Sequence, residues 1–360
     1  MAENESAGHP MKQGVLFALL AAVTFGASTP LAKLLVGQVA PLELAGLLYL
    51  GSGIGLSIWL VIRALFIKRQ DSAISGITRE DLPWLAGATF FGGIVGPALL
   101  MLGLLSTSGA EASLLLNMEG VLTSMLAWFV FKENFDRRIF IGMLLIVSGG
   151  IVLTWDQNPS EGHPWGAFLI LGACLCWGID NNLTRKVSAS DAVQIAATKG
   201  LVAGVVNLFI AAWMGQSAPP LTTTVLTGLV GFGGYGLSLV LFVLALRNLG
   251  TARTGAYFSA APFVGAAVSL VLLKETPGAA FWVAAALMGA GIWLHLTEKH
   301  EHEHAHEELQ HGHRHSHDEH HQHEHDFDWD GVEPHAHPHT HAPLRHSHAH
   351  YPDIHHRHRH

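Results

Sequence analysis

The chain has 360 residues, with 20 Lys+Arg against 28 Asp+Glu, 26 His and a formal net charge of -8. Residues 1–299 are neutral, with 16 basic and 16 acidic residues, whereas residues 300–360 hold 4 basic residues, 12 acidic residues and 23 of the histidines. A neutral body offers no basic surface for nucleic acid, and two cysteines in one apolar run, Cys174 and Cys176, support neither a disulfide framework nor a four-ligand zinc site.

The start, MAENESAGHPMKQG, lacks the basic n-region of a cleaved signal peptide, so the first apolar segment is expected to stay as a membrane helix. A bilayer core about 30 Å thick needs roughly 20 apolar residues of helix. Ten segments supply them, near 13–35, 41–65, 83–105, 110–131, 138–155, 164–186, 192–213, 222–246, 252–273 and 278–297. Stretches such as GMLLIVSGGIVLTW and FWVAAALMGAGIWLHL carry no polar face recurring every three or four residues, as a buried helix of a soluble all-α protein would. With the N-terminus inside, the inner loops carry 13 Lys and Arg (Lys12, Arg63, Lys68, Arg69, Arg79, Lys132, Arg137, Arg138, Arg185, Lys186, Arg247, Arg253, Lys299) and the outer loops 2 (Lys33, Lys274). Cytoplasmic loops retain positive charge, so both termini are expected in the cytoplasm of a bacterial cell with the body in its inner membrane.

The second half repeats the first. An offset of 142 residues lays Phe90 on Phe232, Gly92 on Gly234, Lys132-Glu133 on Lys274-Glu275 and Gly149 on Gly291. An offset of 152 lays Gly14 on Gly166 and Phe25-Gly26 on Trp177-Gly178. Two units of five spans follow, and because five is odd the second enters the membrane from the opposite side. Inverted repeats place a substrate site near the midplane between the halves. The expected fold is an all-α integral membrane protein of ten transmembrane helices in two inverted five-helix repeats. Its parts are a cytoplasmic N-terminus (1–12), repeat one (13–155), repeat two (164–297) and a disordered tail (298–360).

These residues resemble the drug/metabolite transporter superfamily, specifically ten-span proteins with two EamA domains, over about 14–297. The resemblance rests on the aromatic-Gly pair opening each repeat (Phe25-Gly26, Trp177-Gly178) and on fourth spans ending in Glu (FVFKE, LVLLKE). A proline midway along the fourth span is also usual; Ala261-Pro262 fits, while repeat one has Glu119-Gly120 there. The resemblance implies export or uptake of small organic solutes by a secondary mechanism and leaves the substrate open.

An ionisable residue at the bilayer centre costs at least about 2.5–3.5 kcal/mol, so each needs a partner or a function. Glu119, the deepest, is read as a proton-coupling or cation-binding carboxylate, with a structural pair to Lys199 as the alternative. Trp177, Asp180 and Thr184 share one helix face, and Asn181 and Asn182 add hydrogen-bonding groups, as a site wall or as helix-helix glue. Lys199 either binds a carboxylate or neutralises Glu119 or Asp180. Glu111 lies close enough to the outer loop to be solvated. The stretches GGIVGP (92–97) and GFGGYG (231–236) occupy corresponding spans and point to the transport path or to close packing. The G-x-G-x-x-G match in the second is spurious without a strand and a βαβ unit around it. Trp177, Tyr235 and Tyr257 are candidates to line a cavity or to pack.

In the tail H-x-H recurs with few apolar residues, too few to offset the entropy of ordering. Imidazoles beside carboxylates, in particular His311, His313, His315, His317, His320, His321, His323 and His325, suit Zn, Ni, Co or Cu without fixed geometry. No cofactor is required and no nucleophile triad or nucleotide loop is present, so the chain is not read as an enzyme. The partners expected are the lipid bilayer, a small-molecule substrate and divalent metal ions; nucleic acid is not among them, and a homodimer is left open. The function read from all this is a secondary-active permease or exporter of a small polar metabolite, proton-coupled, with a metal-binding tail. The alternative is a divalent Ni, Co or Zn transporter or efflux protein. A membrane-anchored metal store would leave the repeat unexplained.

Overall fold

In the computed structural model the described residues are 8–66, 76–131, 137–155, 165–187, 190–242, 244–245, 254 and 257–296, together with the tail segments 301–306, 309–315, 335–341 and 344–349. The body (Met1–Glu298) and the segment Lys299–His360 are separate compact units.

Within the body the apolar segments form helices in the positions the hydropathy predicts. Spans one and two are Gly8–Val36 and Pro41–Phe66, each apolar on nearly every face. Span three runs through Leu82–Ala88, a π-helical segment Thr89–Val95, and Gly96–Gly103. Span four is interrupted: Gly109–Leu115, a turn at Leu116-Asn117, then Met118–Phe131. Spans five, six and seven are Arg137–Trp155, Trp165–Lys186 and Ala192–Trp213. Span eight is Leu221–Gly231 continued by a second π-helical segment, Phe232–Leu237, within the apolar stretch Leu221–Phe242. Span nine is helical at Tyr257-Phe258, turns at Ser259-Ala260 and resumes as Ala261–Leu272; span ten is Ala279–Leu296. Six of these, spans one, two, three, six, seven and eight, are helices long and apolar enough to cross a bilayer; the apolar helices of spans five and ten are shorter, and spans four and nine are each broken by a turn.

The packing repeats with the sequence. Span two packs on span seven and span five on span ten, and span one against nine answers span six against four. The five-ten contact is reciprocal. A Cβ on Gly149 would meet the Met288 side chain at 2.8 Å and the Ala284 carbonyl at 3.0 Å, and one on Gly291 would meet Ile146 at 2.8 Å and the Gly142 carbonyl at 2.5 Å. The offset of 142 carries each set onto the other, so the two halves are related by a pseudo-two-fold through this contact. Among the described residues, the large apolar side chains exposed at the surface, such as Phe66, Trp155, Phe209, Leu229 and Trp293, form the outward face that hydrocarbon covers.

At the end the loop charges assign outside, two charged side chains tie four spans together. Lys274 sits in the left-handed region at φ 53°, a conformation costing about 1–3 kcal/mol, and turns the chain so that Glu275 reaches span four. The Glu275 carboxylate accepts from Gly109 N at 2.7 Å and Ala110 N at 2.8 Å, two first-turn donors without partners inside the helix. Lys33 donates to the Leu104 carbonyl and, at 2.8 Å, to that of Thr107, at the end of span three. Glu275→Ala is expected to lower stability by about 1–2 kcal/mol, the size of a lost helix cap, read as an earlier thermal transition of the purified protein. The opposite end is held by an ion pair between Arg63 and Asp191 and by Asp81, which accepts from Thr78 N at 2.9 Å and Ser190 Oγ at 3.1 Å. The Thr78 N–H holds the Asp81 carboxyl below its ordinary value.

In the second unit the backbone forms two antiparallel ribbons, Glu301–His306 (β1) with Leu344–Ala349 (β4) and Leu309–His315 (β2) with His335–His341 (β3). Among the described residues of the tail, expected to be disordered, these ribbons are the regular structure. Two-stranded ribbons are marginal in water, and a segment with so few apolar residues has little to cover either face. His311, His313 and His315 lie on β2, in register with His339, His337 and His335. His317, His320, His321, His323 and His325 lie outside the described residues.

Candidate functional site

The interrupted and π-helical segments of the two halves coincide under the repeat. The offset of 142 carries Thr89–Val95 onto residues 231–237, where the second π segment (Phe232–Leu237) lies, and the turn at 116–117 onto 258–259, within one residue of the turn at 259–260 that breaks span nine. Pro262 explains the break in span nine, since a proline starts a helix well and cannot continue one. Span four breaks without a proline. There the buried Asn117 side chain donates to the Leu114 carbonyl at 2.9 Å and the backbone closes tight turns, Asn117 N on Leu114 O and Glu119 N on Leu116 O, both at 3.0 Å. A side-chain amide bonded to its own turn competes with the helical ladder. Irregular backbone at membrane depth is tolerated where protein or a water-filled cavity receives it, and discontinuous helices of this kind form transporter sites.

Glu119 lies in the first turn after the break, half-buried. Its Oε1 accepts from Asn181 Nδ2 at 2.8 Å, and Asn181, exposed toward the same space, also reaches Thr123 Oγ1 at 3.3 Å. Among the described residues no Lys or Arg is paired with Glu119. Lys199 is placed instead on Asp180, at 2.6 and 2.7 Å from its two carboxylate oxygens, with Thr184 Oγ1 donating to Asp180 Oδ1 at 2.8 Å. Of the readings left open for Lys199, the geometry selects neutralisation of Asp180. The pair is buried, with side chains 15% and 10% exposed.

The π segment of span three supplies the next link. A π turn leaves a carbonyl outside the regular ladder, and Gly92 O accepts from both Trp177 Nε1 at 2.9 Å and Tyr49 Oη at 2.7 Å. Asn207 Nδ2 donates to Gly93 O at 3.1 Å. Position 92 admits no side chain, because a Cβ there would stand 1.8 Å from Asp180 Oδ2. In the second half Gly234 O, the counterpart of Gly92 O, accepts from Ser238. Tyr49 lies within electrostatic reach of Asp180 and Glu119, and its ring is 5.3 Å from that of Tyr235. From Tyr235 the rings continue to Phe25 at 6.0 Å, and from Phe25 to Phe258 at 5.4 Å. Phe25, Thr29, Leu116 and Pro262 line a crevice between spans one, four and nine that is too narrow to admit a water molecule.

The structure thus brings together Glu119, Asn181, Trp177, Asp180 and Lys199, and reaches Tyr235 through Tyr49. Tyr257 is not joined to them by a hydrogen bond or ring contact among the described residues; it is 38% exposed, and its carbonyl accepts from Ala260 N at the break in span nine. Tyr49 and Thr123 were missed in the sequence, being single polar residues in apolar runs. Asn117 had a signal, an amide two residues before a mid-span carboxylate. Cys174 and Cys176 are free and buried. Among the described residues no three His, Cys, Asp or Glu side chains converge as metal ligands would.

Comparison with known proteins gives a consistent picture. The profile of the EamA-like transporter family matches residues 12–155 and again 164–297. An uncharacterized transporter of Methanothermobacter thermautotrophicus is 26% identical over 294 residues, covering 78% of this chain and 85% of its own. The uncharacterized transporter YyaM of Bacillus subtilis is 24% identical over 73% of this chain and 86% of its own, and the uncharacterized inner membrane transporter YedA of Escherichia coli is 24% identical over 76% and 87%. A solved crystal structure shares the fold at a TM-score of 0.57 and 17% identity, covering 78% of this chain and 94% of that one.

Proposed function

Because the chain belongs to the EamA-like transporter family, we propose that it is a secondary-active permease that carries a small polar organic solute across a bacterial inner membrane, coupled to protons through Glu119. The observation that carries this reading is the placement of Glu119. It stands at the break of span four with an amide for a partner, while the Lys199 ammonium is held by both oxygens of Asp180. A carboxylate in such a place takes up a proton from one side and gives it up to the other when access changes. The paired breaks in spans four and nine and the paired π segments in three and eight are elements that absorb backbone change as the halves rock about the site.

In this reading both termini are cytoplasmic, no catalytic step is placed on the chain, and the His-rich tail binds Zn, Ni, Co or Cu and ties transport to metal availability. Metal as cargo is less well supported, since a cation at Asp180 would first have to displace the Lys199 ammonium. The test is flux in proteoliposomes with a pH-sensitive dye sealed inside, comparing the full chain with one ending at Lys299 and adding in turn organic solutes and Ni²⁺ or Zn²⁺. Organic solute is expected to dissipate an imposed pH gradient equally with both chains, and removal of the tail to abolish Ni²⁺ binding in calorimetry. Gradient-coupled Ni²⁺ or Zn²⁺ flux in the shortened chain, with none for organic solutes, would establish metal as the cargo.

A further inference from the structure

The repeat gives each residue of the site a counterpart, and the counterparts differ in kind. The offset of 142 sets Glu119 against Ala261, and that of 152 sets Trp177 against Phe25, Asp180 against Ser28 and Asn181 against Thr29. The contacts obey the same correspondence: as a Cβ on Gly92 would run into Asp180, one on Gly234 would stand 2.4 Å from Ser28 Cβ. One wall of the path therefore carries a carboxylate, an amide and a neutralised ion pair. The other carries small residues, Ser28, Thr29 and Ala261, and the half-buried rings of Phe25, Tyr235 and Phe258. The walls meet where Tyr49 and Trp177 share the Gly92 carbonyl.

We propose that the cargo is an amphipathic organic cation, its ammonium seated against Glu119 and Asn181 and its apolar or aromatic body against Phe25, Tyr235 and Phe258. The inference rests on the reading of the Glu119 region as the transport path. Charge decides the polar end. With Asp180 and Lys199 cancelling each other, Glu119 sets the sign of the site, and a cation completes it where an anion would face a carboxylate in a poorly solvated place. Ring faces decide the other end, because they accept an apolar or aromatic body. A site built this way reads the two ends of a molecule at once and holds neither fragment well alone.

The experiment is titration calorimetry of the purified full-length chain, in mildly alkaline buffer, with phenethylammonium, ethylammonium and phenylacetate. Phenethylammonium is expected to bind at least about tenfold more tightly than either fragment. Glu119→Gln is expected to remove that binding, and Phe25→Leu combined with Tyr235→Leu to weaken phenethylammonium about tenfold while leaving ethylammonium unchanged. The comparison of the three ligands on the unaltered chain depends on no variant folding. Phenylacetate binding as tightly as phenethylammonium, binding retained in Glu119→Gln, or no binding across a series of arylalkylammonium ions of increasing length would each overturn the proposal. If gradient-driven solute flux is lost in Glu119→Gln while no ammonium binds, the permease stands and the cation does not. Ammonium binding without any coupled flux would fail the permease reading instead.

Discussion

Glu119→Gln is expected to reduce proton-coupled flux to the level of empty vesicles while leaving the protein folded. Glutamine keeps the shape of the side chain and can still accept from Asn181 Nδ2, whose bond to Glu119 is 2.8 Å long. What it cannot do is gain and lose a proton. The same change relieves a burial cost: an ionisable group near the bilayer centre is unfavourable by about 2.5–3.5 kcal/mol on insertion scales, so the thermal transition should hold or rise. Loss of flux with a retained or raised transition identifies a coupling group, since a structural role would lower both. Flux that persists with an unchanged pH profile would move the coupling step to another residue.

The second large effect concerns the buried pair. Lys199→Met is expected to destabilise the protein by about 3–5 kcal/mol, because it leaves Asp180 charged and buried with only Thr184 donating to it. Asp180→Asn alone strands the ammonium in the same way. The double variant Asp180→Asn/Lys199→Met removes both charges and should recover most of the loss, since apolar replacement of a buried pair is often close to neutral. Thermal or denaturant unfolding of the four proteins forms a double-mutant cycle that isolates the coupling of the two residues. Additive losses would show that the pair does not act as a unit.

How far the sequence reached differs from residue to residue. The spans were legible because hydrocarbon admits a single solution for long uncharged segments, and the halves were legible because Gly149 and Gly291, or Phe25-Gly26 and Trp177-Gly178, recur at fixed offsets. The depth of Glu119 follows from counting along span four. The partner of Lys199 did not follow, because hydropathy says nothing of which faces of spans six and seven meet, and three pairings were equally compatible with the order of residues. The break in span four was hidden for a different reason. The proline that marks it in span nine is absent, and the interruption is made by Asn117 bonding its own turn, a competition decided by local geometry and burial. Tyr49 was invisible because its role depends on a carbonyl released by a π turn in another span. In the tail, composition foretold neither the strands nor which of them pair.

The reciprocal contact of spans five and ten carries a consequence for energetics. Gly149 against Met288 and Gly291 against Ile146 are images of one another, so a cycle in which the two halves exchange conformations returns this interface to itself. Apart from the exchange of Met288 for Ile146 and of Ala284 for Gly142, its energy is the same on both sides of the exchange and cancels from the difference between them. In the proposed transport cycle, a resting bias toward one face of the membrane originates where the halves are unlike, as at Glu119 opposite Ala261 and at Asp180 opposite Ser28. Under the proposed cation transport, the asymmetry that distinguishes the cargo is also one that lifts the degeneracy of the two states.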